Sequence, residues 1–525
     1  MFPLRIGEGT MHLMKKSRIV LLCLTAVMLF AGIVSYRDYG ISWDEPNMFN
    51  VGQYAYNAVF NGQPWATDQG QRYYGTTVEL ALHAIQVMTG LTDPADIFAQ
   101  RHFFTYLIFV FGVLVFFFLV KHVFESETLG VVGSLMLFLS PVIFGHAFFN
   151  SRDVPNLVFF TLCMYTLIRL LEERSLTWVL LHAAATALLL STRITGLMLV
   201  GMTGLFLFLD LLLEWRSEGT IWKTSFLGIV YLVLAALGTI ALWPFLWENP
   251  VSHFLEAYRW STQLPPGGFY MGAKMVGVIW HYIPVWIAIT TPPLYTFAFF
   301  VGCASIVTVF MKKNIRRAYV QVRLWLLVAA WLILPIAAVV VLQQGIHGGY
   351  RHVFFVYPAF LLFAVEGCRA AYAAVTSLKN EKVAVYGSRA LWGVLVLSFL
   401  NTAAWMVRNH PEEHLYFSIP ARLVEGNFEL DYWGLTFRKG FDYVLSSDSR
   451  PLVSIYPTSS PGWSTMNVLT PEQRQRVQLV NDVNQADYVL DNYRDHDYTH
   501  TFQKDKEVHA VTVDGLKVLS VYKMR

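Results

Sequence analysis

Apolar stretches long enough to cross a bilayer recur along this chain as far as residue 407. Eleven can be marked, at 18–36, 103–120, 131–149, 154–171, 178–190, 195–213, 225–247, 284–310, 324–342, 353–372 and 390–407. A hydrocarbon core about 30 Å thick takes roughly 20 apolar residues of helix to span. Lipid supplies no partners for backbone polar groups, so such segments must satisfy their own N–H and C=O groups as helices. The pattern predicts a mainly α-helical, polytopic bundle of about eleven spans, the 178–190 stretch being short for its task. Composition agrees: 14% of the residues are charged, where soluble domains carry roughly 25%. The net charge of +3 offers no basic face for nucleic acid, and none is expected as a partner. Cys23, Cys163, Cys303 and Cys368 all fall inside apolar runs without metal-ligand spacing and read as packing residues.

Lys15, Lys16 and Arg18 precede the first run. The run is long and lacks a clean small-x-small cleavage site, so a retained first span is expected rather than a signal peptide. Basic residues in short loops set orientation, and the cluster within 312–323 (Lys312, Lys313, Arg316, Arg317, Arg323) is the heaviest. With the N-terminus cytoplasmic, that cluster is also cytoplasmic. Loops 37–102, 248–283 and 343–352 are then exported, as is the polar tail. The expected location is a bacterial inner (plasma) membrane. Residues 1–407 form the membrane domain and 408–525 a small extracytoplasmic α/β domain. In that tail, 451–456 and 486–490 read as buried strands. Residues 470–478 read as a helix capped by Thr470 with Pro471 in its first turn. Residues 508–513 and 516–522, joined by Asp514-Gly515, read as a hairpin.

Four polar motifs interrupt the apolar pattern, all on the exported side. Ser42-Trp43-Asp44-Glu45-Pro46 follows the first span. Its carboxylates can take a proton from a hydroxyl or ligate a hard divalent cation; Asp44 is equally what a helix cap looks like. Asn150-Ser151-Arg152-Asp153-Val154-Pro155 joins two spans, and Asp153, or Ser151, again suits a cap. Ser191-Thr192-Arg193 ends another span, with Arg193 either snorkelling or meeting an anion. Gly345-Ile346-His347-Gly348-Gly349-Tyr350-Arg351-His352 combines glycines that allow close backbone approach with an Arg suited to phosphate and two His. Ionisable residues at mid-membrane, which a transporter would need, are not evident. The alternatives that remain are a transporter or flippase of lipid-linked glycans and a non-catalytic assembly protein presenting the tail.

The order of these motifs resembles the GT-C superfamily of membrane glycosyltransferases. More narrowly it is similar to bacterial relatives of the protein O-mannosyltransferases and of the lipid A aminoarabinose transferase. The matching elements are Asp44-Glu45 after the first span, Asp153 in the next exported junction, and Gly348-Gly349-Tyr350-Arg351-His352 leading to Pro358. Phe428-Glu429-Leu430-Asp431-Tyr432-Trp433-Gly434 also resembles a stretch that opens the tail in many members. The resemblance implies a hexosyl- or pentosyltransferase. It would move a sugar from a polyprenyl-phosphate donor to an acceptor hydroxyl with inversion. On that reading Asp44 is the base, and Glu45 and Asp153 orient it or share a divalent cation (Mg or Mn, held by Asp44 and Asp153). Arg351 meets the donor phosphate, with Arg193, His347 and His352 as further anion contacts. No inserted sugar-binding domain is evident, so a glycan or lipid acceptor fits at least as well as a protein.

Overall fold

The computed structural model describes residues 10–64, 71–213, 218–263, 267–312, 315–494, 502 and 504–525; Pro265, Pro266 and Lys313 lie outside them. Among the described residues, eight helices are long and apolar enough to cross a membrane: Pro94–Phe124, Asp153–Glu173, Ile194–Leu213, Ile221–Leu242, Pro293–Met311, Val322–Val341, Arg351–Thr376 and Glu381–Asn409. A ninth arises if Glu127–Phe138 and Pro141–Phe149, bent by 66°, count as one span. Ile19–Ser35 and Leu176–Leu190 are apolar but shorter. Each of the eleven apolar runs is therefore helical, but not each is one straight crossing. The run 131–149 breaks at Ser140-Pro141, where proline opens a new helix and its ring forbids continuation of the old one. The run 284–310 divides into Tyr282–Ile289 and Pro293–Lys312, again with proline at the restart.

Helix starts follow local chemistry. Asp93 accepts from the Ala95 backbone N–H ahead of Pro94, Ser126 from Leu129 and Ser175 from Trp178. These side chains satisfy N–H groups that have no partner within the helix. Helices Pro293–Lys312 and Tyr357–Thr376 cross through Gly302 and Gly367. A Cβ at Gly302 would collide with the Phe363 carbonyl, and one at Gly367 with the Ala298 carbonyl. Small residues allow this approach where lipid gives no hydrophobic drive to helix pairing.

Charges collect at the two ends of the bundle. Helix Asp153–Glu173 spans about 30 Å at 1.5 Å per residue. At its C-terminal end Asp210 is buried and takes hydrogen bonds from Arg323 (2.8 Å), Tyr319 (2.9 Å) and Arg174 (3.2 Å). Its N-terminal end carries Asp153. Nearby, Arg101 and Glu79 form an ion pair in which both side chains are buried, and Ser151 donates to the same carboxylate. Removing one partner of a buried pair strands the other charge, at a cost of about 3–5 kcal/mol. Arg101→Ala is therefore expected to lower the thermal unfolding midpoint in detergent by many degrees, while Lys517→Ala, in a surface pair, leaves it nearly unchanged.

The tail contains a five-stranded sheet in the order Val477–Leu479, Val453–Pro457, Tyr488–Asp491, Leu516–Lys523, Glu507–Val513. The first three strands are parallel and the last two pairings antiparallel. The expected helix at 470–478 is shorter. A capping box between Thr470 and Gln473 starts Pro471–Gln475, but Val477–Leu479 is drawn into the sheet beside Val453–Ile455. Residues 412–433 join the tail to the bundle. Tyr39 donates to Glu413 (2.8 Å), the Trp43 N–H to the Trp433 carbonyl (3.2 Å) and the Ser418 N–H to the Ile289 carbonyl (2.7 Å). A Cβ on Gly145 would stand 2.8 Å from the His414 backbone nitrogen. The tail thus reaches the loop that carries Asp44.

Candidate active site

Asp44 stands at the N-cap position of helix Glu45–Phe60 but caps nothing. Asp153 begins helix Asp153–Glu173, and the capping there falls to Asn150. The Asn150 Oδ1 accepts from the backbone N–H groups of Asp153 (2.9 Å) and Arg152 (3.3 Å). Its amide donates to Asp153 Oδ2 and to His146 Nδ1, both at 3.0 Å. Both carboxylates are thus released from the capping role that each suits in sequence, and both turn to one guanidinium.

That guanidinium is Arg351. Its Nη1 lies 2.7 Å from Asp44 Oδ2 and 3.4 Å from Asp153 Oδ2. Its Nε donates to the His347 carbonyl at 3.0 Å and Nη2 to the Tyr432 hydroxyl at 3.5 Å. Its plane sits over Trp433 (4.6 Å) and Tyr432 (5.4 Å). Arg193 forms a second ion pair with Asp153, and Arg152 lies over the ring of Tyr74 at 3.9 Å. Residues 44, 153, 193 and 351, contributed by four separate segments, meet in one cluster. Asp153 is 1% exposed, Arg351 8% and Asp44 24%, so Asp44 is the member of the trio open to an incoming molecule. Burial alone would raise the Asp44 pKa. The positive charge of Arg351, helped by Arg152 and Arg193, outweighs it and holds the carboxyl below its ordinary range, and Asp44 is ionised at neutral pH.

The remaining expected residues divide. Glu45 does not turn toward Arg351. Its Oε1 lies 2.6 Å from His102 Nε2 and its Oε2 accepts from the Ser42 N–H at 2.6 Å, so it fixes the loop instead of sharing the cluster. His102 in turn reaches the Tyr36 carbonyl through Nδ1 (3.2 Å). His347 joins the cluster through its backbone carbonyl. The His352 ring donates from Nδ1 to the Gly345 carbonyl at 3.1 Å, which steadies the turn around Arg351. The sequence does not single out Asn150 as the cap, Tyr432 and Trp433 as the surface on which Arg351 rests, or Glu79 with Arg101 next to Ser151. Asn150 three residues before Asp153 is a capping signal in its own right; the aromatic pair carries no such local signal.

The two carboxylates expected to share a divalent cation, Asp44 and Asp153, converge on Arg351. Among the described residues, no three of His, Cys, Asp and Glu gather to hold a metal ion.

Gly348 and Gly349 shape the turn that delivers Arg351. Both have positive φ, 64° and 69°, which glycine adopts without strain. A Cβ on Gly348 would also come within 2.8 Å of the Tyr432 ring. Gly348→Val should therefore displace Tyr432 from Arg351 and cut activity, with the quenching of intrinsic Trp and Tyr fluorescence by acrylamide rising as the aromatic surface loosens.

No protein-family model matches the chain, and no curated protein matches it in sequence. Solved structures do match in fold. The apo oligosaccharyltransferase of Archaeoglobus fulgidus aligns over 89% of this chain with a TM-score of 0.52 and 9% identity; the chain spans 65% of that protein's length. AglB from the same archaeon, in complex with an inhibitory peptide and a dolichol-phosphate, aligns over 90% of this chain and 69% of its own, with a TM-score of 0.51 and 11% identity. The archaeal enzyme has also been crystallised with Zn and sulfate. ArnT of Cupriavidus metallidurans bound to undecaprenyl phosphate aligns over 96% of this chain and 97% of its own, with a TM-score of 0.50 and 13% identity. The chain is an integral membrane protein with the fold of the GT-C glycosyltransferases.

Proposed function

We propose that this chain is a glycosyltransferase that moves a sugar from a polyprenyl-phosphate donor to an acceptor hydroxyl on the extracytoplasmic face, with inversion. The observation that carries the reading is Arg351 held between Asp44 and Asp153. A buried guanidinium beside one accessible carboxylate supplies both things that glycosyl transfer requires. One is positive charge for the phosphate that gathers electrons as the sugar leaves. The other is a base for the acceptor proton. Attack from the face opposite the phosphate inverts the anomeric carbon. In the reaction the bond from the anomeric carbon to the phosphate oxygen breaks, the bond to the acceptor oxygen forms, and the acceptor proton passes to Asp44. The undecaprenyl phosphate bound by ArnT and the dolichol-phosphate bound by AglB support a lipid-phosphate donor. Asp153 and Arg193 keep Arg351 in place, and Glu45 with His102 fixes the Asp44 loop.

The arrangement makes the base depend on the donor. In the free protein Arg351 holds the Asp44 carboxyl below its ordinary range and so makes it a weaker base. A donor phosphate that draws Arg351 to itself removes the largest influence lowering that carboxyl, and its pKa rises. Rates against pH should show this. The acid limb of kcat, which reports the donor complex, should lie at higher pH than the acid limb of kcat/KM for the donor, which reports the free enzyme. Coincident limbs would remove the switch.

Reconstitution tests the whole reading. Proteoliposomes holding the purified chain and cell-extracted polyprenyl-phosphate sugars should release free polyprenyl phosphate when acceptor glycolipid is added. Movement of intact lipid-linked sugar between leaflets without loss of the sugar would instead make the chain a flippase.

A further inference from the structure

The strand Tyr488–Asp491 ends a few residues before Arg494, whose guanidinium leaves the tail and lies over the Trp43 ring at 3.6 Å, next in sequence to Asp44. It also lies over Tyr432 at 4.7 Å, the ring that Arg351 approaches at 5.4 Å. Two guanidinium groups therefore share one aromatic side chain. Arg351 is neutralised by Asp44 and Asp153, and Arg193 by Asp153. Arg494 has no carboxylate partner among the described residues, and its Nη1 is buried without a hydrogen bond there. A stacked guanidinium keeps its N–H edge available, in the plane where a phosphate is best met. A buried donor left unsatisfied is costly, so this edge is suited to a ligand.

The charge balance points the same way. Among the described residues, Arg152, Arg193 and Arg351 act on Asp44 and Arg494 lies over the adjoining Trp43; against Asp44 and Asp153 this is a surplus of two positive charges. Glu429, whose charge also reaches Tyr432, reduces it to one. Glu79 is paired with Arg101, and Glu45 is turned away from Arg351 toward His102. A phosphodiester donor carries one negative charge, and a phosphate monoester leaving group about 1.5 to 2 at neutral pH. A site with excess positive charge holds the departing phosphate more strongly than the intact donor, which is the condition for acceleration rather than simple binding.

We propose that Arg494 is a phosphate-binding residue that the C-terminal segment lends to the Asp44–Arg351 site, so that the tail completes the donor pocket. The inference rests on the donor reading above. Its ligand class is an isoprenyl monophosphate, met by both Arg351 and Arg494 beside Tyr432.

The test uses the purified full chain in detergent, with farnesyl phosphate as probe and farnesol as the same tail without charge. Arg494→Ala should weaken farnesyl phosphate about tenfold, the loss of one charge-assisted contact, and leave farnesol unchanged, with Arg494→Lys between. Wild-type affinity for farnesyl phosphate in Arg494→Ala, with affinity lost in Arg351→Ala, overturns the role of Arg494 and leaves the donor reading standing. Equal weakening of both probes makes Arg494 a residue that only holds the fold, and also overturns the proposal. If wild type binds farnesyl phosphate no better than farnesol, the donor reading falls and this inference with it.

Discussion

Asp44→Asn should abolish sugar transfer and leave the protein folded. Asparagine keeps the size of the side chain, and its carbonyl oxygen still accepts from Arg351 Nη1, now 2.7 Å from Asp44 Oδ2. What is lost is the group that takes the acceptor proton, and general-base removal typically costs 10²–10⁴-fold. The expected result is a kcat reduced by about that factor, with thermal unfolding in detergent within a few degrees of wild type. Asp44 caps no helix, it is partly exposed, and Asp153 remains beside Arg351, so the stability loss from the substitution should be small. Asp44→Glu should restore little, since one added methylene pushes the carboxylate past Arg351. Full activity in Asp44→Asn would remove the base assignment.

Arg351→Ala should be nearly as damaging, for a different reason. The three nitrogens of Arg351 meet four partners: Nη1 both carboxylates, Nε the His347 carbonyl and Nη2 the Tyr432 hydroxyl. Lysine has one nitrogen and cannot span them, so Arg351→Lys should recover only a minor part. Loss of a preorganised donor to developing negative charge costs about 2.7–4 kcal/mol, which predicts a fall in kcat/KM of roughly 10²–10³-fold. Whatever activity remains should carry a signature. With the largest opposing charge gone, burial lifts the Asp44 carboxyl, and the acid limb of kcat/KM moves to higher pH. The measurement is a pH profile of residual transfer; an unmoved limb would separate Arg351 from Asp44.

The reach of the sequence follows from which forces are local. Apolar runs are legible because lipid permits little besides helix, and each of the marked runs is helical. Whether a run is one crossing depends on a proline restart, as at Pro141 and Pro293, and a hydrophobicity pattern does not register that break. Within the site, Asp44, Asp153, Arg193 and Arg351 stand out because charge at the end of an apolar span needs a reason. Their neighbours are harder to assign. Glu45 follows Asp44 directly, yet adjacent residues on a helix point about 100° apart, and Glu45 reaches His102 while Asp44 reaches Arg351. Capping chemistry favours Asn and Asp alike, so sequence leaves Asn150 and Asp153 equivalent where packing does not. Tyr432, Trp433 and Arg494 come to Arg351 and Trp43 across long stretches of chain, and no periodicity announces such a meeting.

The central claim is that Asp44 and Arg351 together take a sugar from a polyprenyl phosphate, and mass spectrometry of cellular lipids tests it most directly. Cells lacking the chain should accumulate one polyprenyl-phosphate sugar. Wild-type protein should clear it, and an equal amount of Asp44→Asn protein should not. A lipid pool unchanged by deletion, or cleared equally by Asp44→Asn, would contradict the account.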